Sequence, residues 1–211
     1  MTHYRKALQA LVVAIVLSMA VPAAIQAADH APLATNVADA TPLGQNRLQN
    51  PSFEQAGTGG LIPGWAVSGD VHVQVFGVQA WPSPSYAKKW SGGTRYLMCR
   101  RTSGQVSQTV NFSGTGNGTS PLLARLAANY GGVTGAKILV SILITGAPGQ
   151  GSYKEKLKTL TITHHYLKNV TTLAIPQWAT QITATVQLLP ADGDNRCRMV
   201  ADSINLWVLQ S

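Results

Sequence analysis

Six carboxylates stand between Arg47 and the end of the chain: Glu54, Asp70, Glu155, Asp192, Asp194 and Asp202. Hydrolysis by paired acids needs two of them facing each other across a cleft. Asp192-Gly193-Asp194-Asn195 reads instead as a hairpin turn, because Asp, Gly and Asn supply the backbone angles a turn needs and the remaining ligands of a calcium loop are missing. His164 and His165 are adjacent in a strand candidate, so they point to opposite faces and do not share one metal. Nucleophile-elbow, zinc-protease and phosphate-loop patterns are all absent from the sequence. The chain is therefore read as no enzyme. Glu54 and Asp202 are the pair with a chemical consequence. They lie in Leu48–Glu54 and Ala201–Leu206, and if those two stretches run side by side their carboxylates call for a cation or a shared proton.

Sugar binding asks for flat aromatic faces with polar groups around them. Trp81-Pro82-Ser83-Pro84-Ser85-Tyr86-Ala87-Lys88-Lys89-Trp90 offers three large aromatics in a Pro/Ser-rich loop beside two lysines. Exposed loop aromatics are harder to account for as core than aromatics in strands. Trp81, Tyr86 and Trp90 are accordingly the candidate ligand-binding residues, with a tucked-in loop Trp as the plainer alternative. Trp65 follows a Pro-Gly turn and is expected to plug one end of the core, and Trp207 to pack.

The formal net charge is +8 over 211 residues, and without Arg5 and Lys6 the balance is 14 basic residues against 8 acidic. Such a field favours anionic partners, or keeps an exported protein soluble. Lys154, Lys156 and Lys158, with Arg100, Arg101, Arg196 and Arg198, are candidates for a patch that meets an anionic polymer. The lysines alone also read as a charged sheet edge that discourages strand pairing. No recognition helix or aromatic-basic motif accompanies the charge, so nucleic acid is not expected as a partner.

The elements that must position these residues are strands. Val71–Val75 alternates, with three valines on one face and His72 and Gln74 on the other. In Thr94–Arg101, Arg95, Leu97 and Cys99 share one side and Tyr96, Met98 and Arg100 the other. A Ser103-Gly104 turn then leads to Val106–Phe112. Lys137–Thr145, Leu157–Thr163, Val170–Ile175, Ile182–Leu189 and Met199–Leu209 add further strand candidates between Gly-rich turns. Leu122–Tyr130 fits a helix face and a strand face alike. Short strands at this spacing predict an all-β, antiparallel β-sandwich or jelly roll. Cys99 and Cys197 are predicted to form one disulfide, worth about 4 kcal/mol in the chain-entropy model; two buried thiols are the alternative.

Ahead of the sandwich, Arg5 and Lys6 precede an apolar run and the small-residue stretch Ala23–Ala28, the layout of a secretory signal peptide over residues 1–27. An uncleaved membrane anchor is the alternative. Residues 28–46, rich in Ala, Thr, Pro and Asn, read as a flexible linker, and 47–211 as one domain. The expected location is extracellular or on the cell surface, with no stable membrane insertion after cleavage.

The order Leu48–Glu54, Pro63-Gly64-Trp65, Tyr96-Leu97, Val106–Val110, Tyr130, Ile175-Pro176 with Ala179-Thr180, and Ala201–Leu206 resembles the galactose-binding-like β-sandwiches. Nearest among them are the carbohydrate-binding modules of bacterial cellulases and xylanases. The resemblance implies a strand at Leu122–Tyr130 and a non-catalytic module that binds a carbohydrate or cell-surface polysaccharide. It also implies a structural calcium, for which Glu54 and Asp202 match the carboxylate positions. Trp178 falls where relatives carry a small residue, which makes it a further binding candidate. A structural or adhesive surface protein without a sugar pocket is the competing reading.

Overall fold

Alternation in the sequence becomes strand in the computed structural model, which describes residues 43–55, 57–58, 61–78, 93–112, 121–147, 153–163 and 166–210. Eight strands follow in order: β1 Ala66–Val75, β2 Arg95–Asn111, β3 Leu122–Gly132, β4 Lys137–Thr145, β5 Tyr153–Thr161, β6 Tyr166–Ile175, β7 Gln181–Leu189 and β8 Met199–Gln210. Every pairing among them is antiparallel, and the described residues include no α-helix. β7 shows the cause. Ile182, Ala184, Val186 and Leu188 are fully buried while the residues between them are half-buried, the two-residue period of a strand with one face in the core. In β3 the same period buries Leu122, Ala124, Leu126, Ala128 and Tyr130. Its helix-favouring Leu and Ala yield to hydrogen bonding from both flanks, since β3 lies between β6 and β8.

The strand order is β5-β4-β7-β2-β8-β3-β6, with β1 paired to β2. Long β2 joins two halves. Its first part, Leu97–Cys99, pairs with β8, whereas its second, Gly104–Asn111, pairs with β7. Between them lies a corner. β1 crosses it with a register break: Gly69 faces Gly104 but Val71 faces Cys99, so Asp70 alone spans Arg100–Ser103. The turn expected at Ser103-Gly104 is thus a bulge within a continuous strand. Gly104 is required there because a side chain would run into Val71 and the Asp70 backbone. Inward residues of both halves, among them Leu97, Cys99, Val106, Leu126, Ile138, Ile142 and Ile204, form one core. A smaller cluster of Phe76, Tyr96, Met98 and Val200 lies on the other face of β2 and β8.

The two outermost strands meet without a backbone ladder. β5 and β6 come into contact, and Lys156 Nζ donates to the Thr172 carbonyl across the seam at 2.9 Å. The sheet is thereby nearly closed.

Leu48–Glu54 is not a strand but a turn laid along β8. Gly44 N–H donates to Val208 O (2.9 Å), Arg47 N–H to Leu206 O (2.8 Å), and Ile204 N–H to Pro51 O (2.9 Å). Asn50 has φ 46°, a left-handed conformation that Asn tolerates and that makes Asn50-Pro51 a turn. The compensation is local. Asn50 Oδ1 accepts from Gln55 N–H at 3.0 Å, its Nδ2 donates to Gln55 O at 2.8 Å, and its carbonyl accepts from both Phe53 N–H and Trp65 Nε1. Trp65 does plug the core, buried and 5.6 Å from the Phe53 ring.

Candidate functional site

Two places gather polar chemistry among the described residues. The first is where the Asn50–Glu54 turn meets β8. The β3–β8 register passes from Ala127↔Asn205 to Asn129↔Asp202, so β8 carries one extra residue there. Ser203 takes φ 49°, and the bulge frees Ile204 N–H for the Pro51 carbonyl. Asp202 is fully buried, its Oδ1 accepting from Ser203 N–H at 2.6 Å, and the Ser203 hydroxyl is buried with no hydrogen-bond partner. Glu54 ties the start of β2. Its Oε1 accepts from Thr94 and Arg95 N–H at 2.8 and 2.9 Å, and Oε2 from Thr94 Oγ1 at 2.7 Å. Continuing the β2–β8 register from Leu97↔Ala201 sets Tyr96 opposite Asp202, beside the strand end that Glu54 holds.

The oxygens along this turn and β8 are hard donors: the Glu54 and Asp202 carboxylates, both already accepting hydrogen bonds, a buried hydroxyl without a partner, and turn carbonyls. That is the ligand chemistry calcium takes. The described residues contain no group of three or more His, Cys, Asp or Glu able to hold a metal, so carbonyls and water would complete any shell here. The donor types fit the ion.

The second place is the β2 corner. Cys99 and Cys197 form the expected disulfide, with Cα atoms 5.4 Å apart and a separation of 98 positions in sequence. It pins the β7–β8 connection over the corner, where Cys197 N–H also donates to Arg101 O at 3.0 Å. The Asp192–Asn195 turn forms within that connection, with Gly193 at φ 79° and Asp194 N–H donating to Ala191 O. It is not a hairpin, because β7 and β8 both flank β2 and do not pair with each other. Arg100, Arg101, Asn195 and Arg196 line a cavity of about 430 Å³.

Asp70 organises this corner. Its Oδ2 accepts from Arg101 N–H at 2.6 Å and Thr102 N–H at 3.4 Å, and its Oδ1 contacts His72 Nε2 at 2.6 Å. Burial pushes the carboxyl up, but the Arg101 amide, the His72 ring and the Thr102 amide together hold it below its usual value. The amides it binds belong to the bulged residues that β1 leaves unpaired. Nearby Tyr96 is raised by burial, with the Arg100 charge acting in the opposite sense.

The expected basic patch divides. Arg100, Arg101 and Arg196 meet in one cavity, which Arg198, though exposed, does not line. The lysines belong to β5, separated from β2 by β4 and β7. Trp178 lies in the Pro176–Ala179 turn, half-buried against the core. Trp207 is half-buried, with the Arg125 guanidinium 5.7 Å from its ring. Trp81, Tyr86 and Trp90 lie outside the described residues, as do His164, His165 and residues 1–42. Sequence reasoning named the corner arginines without seeing what joins them; the pairing of Cys99 with Cys197, each beside an arginine, was the available signal.

No protein-family model matches the chain, and no curated protein matches it significantly. Solved structures do. The chain is similar to the TmCBM61 module in complex with β-1,4-galactotriose, at a TM-score of 0.50 and 18% identity, covering 79% of this chain and 99% of that one. It is similar to the enzymatically active domain of the bacteriophage CBA120 tailspike protein 4, at a TM-score of 0.52 and 11% identity, over 78% of this chain and 21% of that one. It is also similar to a cyclase from Fischerella sp. TAU in complex with 4-(1H-indol-3-yl)butan-2-one, at a TM-score of 0.51 and 13% identity, over 78% and 96%. What is shared is the all-β fold. Carbohydrate-binding modules are among its bearers, as the sequence resemblance implies, and so are enzymes.

Proposed function

We propose that the chain is a secreted, non-catalytic carbohydrate-binding module of jelly-roll type, with a signal peptide over 1–27, a linker over 28–46 and the binding domain over 47–211. The observation that carries this reading is the likeness to TmCBM61, which spans 99% of that module, a module in complex with β-1,4-galactotriose. The acids support it. Glu54 holds the start of β2, Asp70 the corner, Asp192 an ion pair with Lys137 at 2.7 Å, and Asp194 the Arg196 amide. Each has a structural task. Trp81, Tyr86 and Trp90 stack on the sugar in this reading, with Trp178 as a further contact, and the partner is a neutral or acidic cell-surface glycan.

A glycan array with the mature protein and with Trp81→Ala and Trp90→Ala tests it. The expected result is binding that falls at least ten-fold in either variant. Binding to no glycan at all would favour a structural surface protein, and binding indifferent to both changes would remove the aromatic loop as the site.

A structural calcium held by Glu54 and Asp202 belongs to the same proposal. The ion would neutralise the carboxylates where the opening turn meets β8. Saturating calcium is expected to raise Tm over the chelated protein by roughly 5–10 °C, on the scale of binding linkage for a domain of this size. An unchanged Tm would leave Glu54 as the cap of β2.

A further inference from the structure

The arginine corner has no task in that function. We propose that the cavity lined by Arg100, Arg101, Asn195 and Arg196 is a separate glycan site that takes an acidic sugar, binding its carboxylate or sulfate groups through the guanidinium forks. The anionic half of this assignment rests on the arginines; the saccharide half rests on the carbohydrate reading above.

Three observations support it. The first is missing countercharge. None of the three guanidinium groups has an ion-pair partner among the described residues. Two carboxylates of the corner are committed to other groups: Asp70 to the Arg101 and Thr102 amides and to His72, and Asp194 to the Arg196 amide at 2.9 Å. Converging like charges repel, and an anion relieves that repulsion.

The second is fixation. Surface arginines ordinarily wave in solvent, and ordering them costs binding energy. Here the backbones beneath them are pinned. Arg100 follows a disulfide cysteine, and Arg196 precedes the other. Arg101 is held from both sides, its N–H by Asp70 and its carbonyl by Cys197 N–H. The bulge turns Arg100, Arg101 and Thr102 out to solvent.

The third is the type of lining. Guanidinium presents paired N–H donors that match carboxylate, sulfate and phosphate oxygens. Asn195 adds an amide able to donate to and accept from a sugar hydroxyl. The space these residues line, about 430 Å³, is open to solvent, so acidic groups on a polymer can reach the arginines without entering an enclosed pocket. Single-stranded nucleic acid calls for aromatic platforms between the cations, and among the described residues no aromatic lines this cavity. That favours an acidic glycan over nucleic acid.

The test titrates the mature protein with polygalacturonate, dextran sulfate, neutral β-1,4-galactan and a single-stranded oligonucleotide at fixed salt. Arg101→Gln with Arg196→Gln removes two charges from the cavity. Lys158→Gln with Lys168→Gln, both exposed on β5 and β6, removes two elsewhere. Arg101→Lys keeps charge but loses the fork, and Tm verifies folding of each variant. Expected is a ten-fold or greater loss of acidic-glycan affinity in the arginine pair, a smaller loss in Arg101→Lys, and less than two-fold change in the lysine pair. Binding of polygalacturonate alone assigns the site to carboxylate, and of dextran sulfate alone to sulfate. Equal losses in both double variants, or no acidic-glycan binding, overturn the proposal. So does an oligonucleotide that binds more tightly through the same arginines. Loss of galactan binding in the Trp81 and Trp90 variants tests the aromatic loop separately, so either site can fail while the other stands.

Discussion

Arg100, Arg101 and Arg196 at the β2 corner and Lys156 and Lys158 on β5 are the same charge under opposite constraints. The arginines extend from backbone held by a disulfide, a bulge and two carboxylates. The lysines line an exposed outer strand whose ladder among the described residues is to β4. One of them reaches a carbonyl across the seam, and Lys158 is left to solvent. Net charge does not separate these situations. What separates them is whether the backbone under the charge is fixed before a ligand arrives, and the two regions should respond differently when that fixation is removed.

The largest effect is expected from the disulfide. Cys99→Ser with Cys197→Ser opens a 98-residue separation and should cost about 2–5 kcal/mol, a Tm lower by roughly 5–15 °C by calorimetry. At a temperature where the variant is still folded, acidic-glycan affinity should also fall, because Arg196 loses its tether. Unchanged affinity in a folded variant would mean that the carboxylates and the bulge suffice to hold the cavity.

Asp70 comes next. Asp70→Asn weakens hydrogen bonds to two bulge amides and to His72, at an expected cost of about 1–2 kcal/mol. The pH dependence has a definite sign. A carboxyl held below its unfolded value contributes stability that is present above about pH 4 and lost as pH falls through the lower, folded value. Between pH 5 and pH 2 the Tm of the wild type should therefore fall more steeply than that of Asp70→Asn. Parallel curves would show that Asp70 contributes nothing pH-dependent to the corner.

The contrast also explains what was legible in the sequence. Strands with a strong apolar pattern, such as the nearly continuous run of β4 and the alternation of β7 and β8, could be read within a residue or two. β5 could not. Its exposed Lys156, Leu157 and Lys158 carry no such period, and its observed start at Tyr153 is set by the β4 ladder. The corner was misread as a turn because Ser103-Gly104 has turn chemistry, while the close approach of β1 that requires Gly104 is a tertiary fact. Asn50-Pro51 has turn chemistry, and Asn50 takes the left-handed conformation that its side-chain bonds to Gln55 support. Arg101 and Arg196 lie far apart in the chain, and the disulfide, the β2–β8 ladder and the Cys197 N–H bond to Arg101 O make them neighbours.

The smallest effect belongs to the lysine edge, where a null result in binding is the informative one. Lys156→Gln removes a charged donor to the Thr172 carbonyl across the β5–β6 seam. Exposed interactions of this kind are worth under about 1 kcal/mol, so Tm should move by no more than roughly 4 °C and acidic-glycan affinity by less than two-fold. Association is where the edge should register. An outer strand with unpaired backbone groups is kept from pairing with another molecule partly by its charges. Replacing both Lys156 and Lys158 by Thr leaves a more β-prone edge beside exposed Leu157, and light scattering at raised concentration should then show more self-association than in the wild type. If the double variant stays monomeric while its acidic-glycan affinity drops ten-fold, the assignment of roles is reversed: the β5 lysines bind ligand, and the distinction between pinned and unpinned cations does not hold.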